Sequence, residues 1–131
     1  MKLTNQQVIQ SIYDTGKTDD FETILSFMDP DLVIQEAESL PYGGTYHGPE
    51  GFHRLIARVF ESVRSLHVEV EGMLADGDQV IAMLRVKLGL KGSDREFETK
   101  VAEYWRLRDG KVIELRPFYW DTAALVSALR S

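Results

Sequence analysis

Residues 96–119 read EFETKVAEYWRLRDGKVIELRPFY. Phe97, Thr99, Val101, Glu103, Trp105 and Leu107 fall on one side of a period-two pattern. Glu96, Glu98, Lys100, Arg106 and Arg108, with Ala102 and Tyr104, fall on the other. That alternation predicts a half-buried strand over 96–108. Asp109-Gly110 is a hairpin signal, and a further strand follows over 111–119. The same period runs upstream. Leu66, Val68 and Val70 alternate with His67, Glu69 and Glu71, Asp76-Gly77-Asp78 predicts a turn, and Val80 to Leu90 a long strand. Lys91-Gly92-Ser93-Asp94 closes the next turn. Four strands in successive hairpins make an antiparallel meander.

The first half has a helical period. Val8, Ile9, Ile12 and Tyr13 predict a helix over 4–15, capped by Thr4 or Asn5 and ended by Gly16. Phe21, Ile24, Leu25 and Met28 form one stripe of a second helix, capped by Thr18 or Asp19 and stopped by Asp29-Pro30-Asp31. Leu32 to Ala37 predicts a short strand, and 38–48 (ESLPYGGTYHG) a loop. Pro49 suits the first turn of a third helix over 49–63, burying Phe52, Leu55, Ile56, Val59, Phe60 and Val63. Asp121-Thr122 caps a last helix, Ala123 to Leu129. Helices first and a meander second predict an α+β fold, a strongly curved sheet with three helices across it, closed to a cone with an open end. Such a mouth is a place for a ligand pocket.

With 131 residues the chain makes one domain, 1–131. A net charge of −6 argues against a nucleic-acid partner, which needs the opposite balance. The absence of cysteine excludes disulfides, cysteine-ligated metals and thiol nucleophiles. Three histidines show no metal spacing, so neither a metal nor another cofactor is expected. No apolar run is long enough to span a membrane, and the start MKLTNQQVIQ lacks the apolar centre of a signal peptide. The expectation is a cytoplasmic protein.

The chemistry is sought among ionisable groups on apolar faces. Glu103 lies in the middle of the apolar row of its strand, and Glu36 shares a side with Leu32 and Ile34. A carboxylate so placed must be paired, protonated or turned into a polar cavity. Burial raises its pKa, as a general base or a neutral donor requires. The plain alternative is a structural network. Most of the ten aspartates sit in turns or at helix ends. Asp121, beside Phe118-Tyr119-Trp120, is kept as a second candidate beside its reading as a cap. Tyr13, Tyr42, Tyr46, Trp105, Tyr119 and Trp120 are candidate pocket or core aromatics, and His47 a loop residue able to close over a ligand.

Several segments together resemble the nuclear transport factor 2-like superfamily (cystatin-like architecture), and within it the SnoaL-like and ketosteroid-isomerase-like small proteins. They are Val8 to Thr15, Thr18 to Met28 with its Asp-Pro-Asp end, the loop Leu40 to Gly51, Glu103 to Val112, and Phe118 to Asp121. The resemblance implies a cone-shaped fold with an apolar pocket, assembled as a homodimer through the outer sheet face. Ile81, Met83, Ala102 and Tyr104 give that face a semi-apolar character. In the isomerases a base ends the first strand, where Glu36 stands. A second buried acid lies in the strand before the last, where Glu103 replaces the usual Asp. The oxyanion tyrosine lies in the first helix. Tyr13 is the nearest candidate, one residue off, which is about 100° round a helix. The family's epoxide hydrolases use an Asp–Arg–Asp array on strands, and no aspartate falls inside a predicted strand here.

The resemblance thus implies a cofactor-free isomerase or cyclase, moving a proton on a small carbonyl-containing hydrophobic molecule. Glu36 and Glu103 would be catalytic, and Tyr13, Tyr42, Trp105, Tyr119 and Asp121 would bind substrate. A non-catalytic binding or assembly module of the same fold is the alternative.

Overall fold

The computed structural model describes residues 2–18 and 20–130. The elements run α1 (Asn5–Thr15), α2 (Phe21–Ser26), β1 (Met28–Glu36), β2 (Gly44–His47), α3 (Gly48–Ser62), β3 (Val63–Asp76), β4 (Gln79–Leu90), β5 (Glu96–Arg108), β6 (Lys111–Tyr119) and α4 (Thr122–Arg130). Six strands form one curved sheet in the order β2-β1-β6-β5-β4-β3. The meander β3 to β6 is antiparallel throughout, and β1 joins it by a parallel pairing with β6. That crossover pairing brings the end of β1 beside the last strands, which no local pattern announces. No helix among the described residues is long and apolar enough to cross a membrane.

Local chemistry sets the boundaries. Thr4 and Gln7 form a reciprocal capping box on α1. Asp20, not Thr18, caps α2 by accepting from the Thr23 N–H at 3.1 Å, and Asp19 lies outside the described residues. Asp109 and Gly110 both have positive φ, 52° and 78°, as a two-residue hairpin turn needs. Asp121 accepts from the Ala124 N–H at 3.0 Å and so caps α4.

Three expectations need correction. First, Met28 opens β1 and does not belong to the second helix, and Asp29-Pro30-Asp31 runs inside that strand. The register with β6 slips between Met28 and Val33, so the proline, which has no N–H, costs no ladder bond. Asp29 and Asp31 are therefore strand aspartates, and both accept from Arg108, at 3.2 and 3.1 Å. This Asp–Arg–Asp group is outside the cavity described below. Secondly, the 38–48 loop contains β2, four residues paired with Val33 to Glu36. Its glycines mask it in a propensity reading. Thirdly, Phe60 is 42% exposed, at the end of α3, and Val63 belongs to β3.

Bulges curve the sheet and re-aim side chains. Between Val70 and Gly72 the β3 register slips by one, leaving Glu71 unpaired. Before the slip Val70 faces Leu84, and after it Met73 faces Ala82, so inward positions change parity. A second slip, at Arg106/Leu107, does the same for β6. Val8, Ile9 and Ile12 of α1, with Phe52, Leu55 and Val59 of α3, join Leu32, Ile34, Val80, Leu84 and Val101 of the sheet in the core. Each such side chain contributes on the order of 1.5–3 kcal/mol.

The chain between β1 and β2 folds back tightly. A Cβ on Gly43 would lie 2.3 Å from the Ala37 carbonyl oxygen and 2.7 Å from the Glu38 Cα. Both are backbone atoms without room to yield. Gly43→Ala is expected to destabilise the fold by about 1–3 kcal/mol, read as a lowered urea midpoint. An unchanged midpoint would show that the turn has slack.

Candidate functional site

The helices and the inner sheet face line a cavity of about 710 Å³ that is not fully closed off. Leu84, Val86, Leu88, Val101, Leu115, Leu55 and Val59 supply most of its wall. Exposed side chains of Lys17, Phe60, Leu66 and His67 border it. The inward parity of β1 and β5 brings Glu36 and Glu103 into the lining, and with them Tyr13 of α1, Tyr42 of the 37–43 turn and Tyr119 of β6.

Each acid ends a chain of two hydrogen-bond donors. Trp105 Nε1 donates to the Tyr13 hydroxyl at 3.0 Å, and that hydroxyl donates to Glu103 Oε1. The Tyr119 hydroxyl donates to Glu36 Oε1 at 2.6 Å and lies 3.5 Å from the Tyr42 hydroxyl. A phenol has a single proton. Tyr119 gives its own to Glu36, so Tyr42 is the donor to Tyr119. Among the described residues, no buried side-chain nitrogen or oxygen lacks a partner.

Electrostatics follow from burial. Glu36 is 9% exposed. Loss of water pushes its carboxyl up to about 8; the bond from Tyr119 opposes that rise, and the nearby Glu103 adds to it. Glu103 keeps accessible surface, but as part of the cavity lining, and desolvation dominates: its carboxyl is also raised, with the bond from Tyr13 opposing. Burial pushes the Tyr42 phenol up to about 12 and holds those of Tyr13 and Tyr119 well above the ordinary range. The phenols therefore remain donors across the physiological range. Glu36 changes charge near its upper end.

The expected site residues divide. Glu36, Glu103, Tyr13, Tyr42 and Tyr119 meet in the cavity. Tyr13 does so despite the one-residue offset, its ring meeting Trp105 edge-on at 5.9 Å. Trp105 is 2% exposed and not in the lining, so it is placed behind Tyr13 as a support and not in the cavity wall, where it was expected. Asp121 is exposed and occupied in capping α4, so its expected place among the substrate contacts is corrected to a cap. His47 and Trp120 are exposed and away from the lining. Composition gave no sign of Arg58. Its guanidinium donates to the Tyr46 hydroxyl at 2.7 Å and to the Pro41 carbonyl at 2.5 Å. The only hint is its spacing four residues after Arg54, on the polar face of α3. Among the described residues, no group of three or more His, Cys, Asp or Glu side chains is set to hold a metal ion.

The raised Glu36 carboxyl makes stability depend on pH with a defined sign. Folded Glu36 keeps its proton up to about 8, whereas the ordinary value is 4.5. Between these values the folded state binds more protons, so stability is full below the lower one and falls as pH rises through the upper. Glu103 acts in the same direction. Urea titrations across this window should show a smaller decline for Glu36→Gln than for the parent. Parallel curves would refute the burial of an uncharged Glu36.

A family model and several solved structures match this chain and its fold. A family model described as a SnoaL-like domain matches residues 9–115. Among solved structures, TerC, co-crystallised with polyporic acid, superposes with a TM-score of 0.88 at 24% identity, over 97% of this chain and 98% of that one. A nuclear transport factor 2-like protein of unknown function from Burkholderia pseudomallei gives 0.91 at 19% identity, over 99% and 100%. A proposed SnoaL-like polyketide cyclase from Jannaschia sp. CCS1 gives 0.83 at 22% identity, over 100% and 98%. Among curated proteins, no sequence matches significantly. At these identities the structural likeness speaks for the fold. The family match, spanning most of the chain and both carboxyl positions, goes further: this protein belongs to the SnoaL-like domain family.

Proposed function

We propose that this protein is a cofactor-free isomerase or cyclase, acting by proton transfer on a small, largely hydrophobic carbonyl compound. The observation that carries this reading is the pair of buried acids, each held by a phenol, facing one apolar cavity. Glu36 is the base. Near pH 8 it is partly ionised, strong enough to take a proton next to a carbonyl and able to give it back. The uncharged Glu103 donates its carboxyl proton to the carbonyl oxygen and stabilises the negative charge that develops there, while Tyr13, whose own proton is given to Glu103 Oε1, holds that acid in place. If Glu36 returns the proton to another carbon, the product is an isomer. If the enolate carbon attacks a second carbonyl of the same molecule, a ring closes and the new alkoxide takes the proton from Glu36. Both routes balance without an oxidant or reductant. Polyporic acid in TerC, and the cyclase assignment of the Jannaschia protein, support an oxygenated, polyketide-like ligand class.

A non-catalytic pocket is the second reading, favoured by the satisfaction of the buried side-chain polar atoms among the described residues. The two separate by mutation. Once a thermal-shift screen of carbonyl compounds has given a ligand that is turned over, Glu36→Gln should lower kcat by roughly 10²–10⁴-fold while binding persists. Glu103→Leu, which removes the donor to the developing oxyanion, should lower it by about 10²–10³-fold. Ligands that bind and return chemically unchanged, in the parent as in Glu36→Gln, would establish the binding module.

The assembly proposed with this activity is a homodimer through the outer sheet face. Met83, Ala102 and Phe118 are cross-strand neighbours there, Met83 and Phe118 being 45% and 54% exposed, with Leu74 and Ile81 in the adjoining row. Sedimentation equilibrium should show a dimer at tens of micromolar protein and a monomer for Met83→Glu, since a charge in a packed interface is costly. A monomeric parent would remove this part of the proposal.

A further inference from the structure

The second donor chain reaches the protein surface. Arg58 donates to the Tyr46 hydroxyl, which donates to the Tyr42 backbone carbonyl at 2.8 Å. The other arm of Arg58 holds the Pro41 carbonyl. Arg54 and Arg58 both lie over the Tyr46 ring, with guanidinium carbons 5.9 Å from its centroid. Tyr46 is anchored in β2 opposite Ile34, and Gly43 allows the turn to close on Ala37. The exposed arginine thus fixes the backbone on both sides of the Pro41–Tyr42 bond, and the Tyr42 side chain enters the cavity from that bond.

The held contact is a delicate one. Tyr42 to Tyr119 is 3.5 Å, longer than the usual O–H···O bond, so the contact is weak and a small movement of the turn breaks it. Tyr119 to Glu36 is short, at 2.6 Å. A donor to the Tyr119 oxygen polarises its O–H and strengthens the bond it makes to Glu36. A hydrogen bond to the ionised form favours that form.

We propose that Arg58 is a positioning residue for Glu36: by clamping Tyr46 and the Pro41–Tyr42 turn, it keeps the Tyr42 hydroxyl on Tyr119, and so sets how readily Glu36 gives up its proton. This rests on the reading of Glu36 as the base, but the geometry is independent of any substrate. The groups facing Glu36 are Tyr119 from β6, Tyr42 from the turn and Glu103 from β5, with Tyr13 of α1 reached through Glu103. The basic side chains in the cavity lining, Lys17 and His67, are exposed. No cation among those facing groups masks the effect of the phenols.

The test is the ionisation midpoint of Glu36, read in the intact protein by infrared difference spectra of the carboxyl C=O band and assigned by its loss in Glu36→Gln. No ligand is needed. Tyr119→Phe should raise the midpoint by about one unit, and Tyr42→Phe by less. Arg58→Met should raise it as Tyr42→Phe does, and the double variant should move it no further than Tyr42→Phe alone. Arg58→Lys, which keeps the charge but loses the forked donor, should resemble Arg58→Met. If Arg58→Met does not fold, Tyr46→Phe removes the same hydroxyl link while keeping the ring, and should give the same shift. A Glu36 midpoint left in place by Arg58→Met, or by Tyr46→Phe where that variant replaces it, while Tyr42→Phe moves it, would reduce Arg58 to a structural clamp. A midpoint indifferent to Tyr42→Phe would overturn the proposal altogether. Failure of catalysis itself appears elsewhere, as turnover unaffected by Glu36→Gln.

Discussion

Two carboxyl groups share one apolar cavity, and among the described lining residues only the exposed Lys17 and His67 are basic. An ionised carboxylate there is poorly solvated and has no adjacent counter-charge, which is costly enough to favour keeping the proton on. The residues around the acids answer this constraint with phenols. A phenol donates to either protonation state and, when buried, does not ionise in competition. The result is an acid pair in which charge is deferred, neither neutralised by an arginine nor placed on the outer surface. Stability, pH dependence and the proposed chemistry all descend from that arrangement.

The fold supplies it through strand parity and bulges. Glu103 and Trp105 are two residues apart on one strand, so their side chains lie on the same face, and Tyr13 closes the triangle from α1. Glu36 belongs to a strand far away in sequence, and the parallel pairing of β1 with β6 brings it to Tyr119. Without the parity changes at Glu71 and near Ile113, β3 and β6 would turn polar residues into the cavity along part of their length. The sheet is curved by the same features that keep its inner face apolar.

Much of this was legible in the residues. The β5 and β6 limits follow from alternation and from Asp109-Gly110, and the inward aim of Glu36 and Glu103 follows from period two alone. Where the reading erred, competing local signals were at work. Asp-Pro-Asp looks like a break, yet the strand carries it because a register slip leaves the proline nothing to donate to. Two adjacent glycines look like a loop, yet one permits a close backbone approach and the other, with φ of 120°, starts a strand. Tyr13 looked misplaced when counted along an ideal helix. Its direction is set by packing against Trp105, which a count of residues does not contain. Arg58 was invisible because its partners are a hydroxyl and a carbonyl twelve or more residues away.

The two donor chains are alike in order and unlike in what holds them. Trp105 feeds Tyr13 from within β5, at 2% exposure and on the strand that carries Glu103, so that chain is as rigid as the sheet. Tyr42 feeds Tyr119 from a turn, across a long, weak contact, with a surface arginine as its restraint. A group that stabilises a developing charge gains from rigidity, because donors that need not move cost no reorganisation. A base must pass between charged and neutral forms, each preferring a different hydrogen-bond strength from Tyr119. The rigid chain therefore suits Glu103 and Tyr13 as the oxyanion side. The yielding chain suits Glu36 as the side that takes and returns the proton. This asymmetry supports the proposed division of roles between the two acids without appeal to their positions in related proteins.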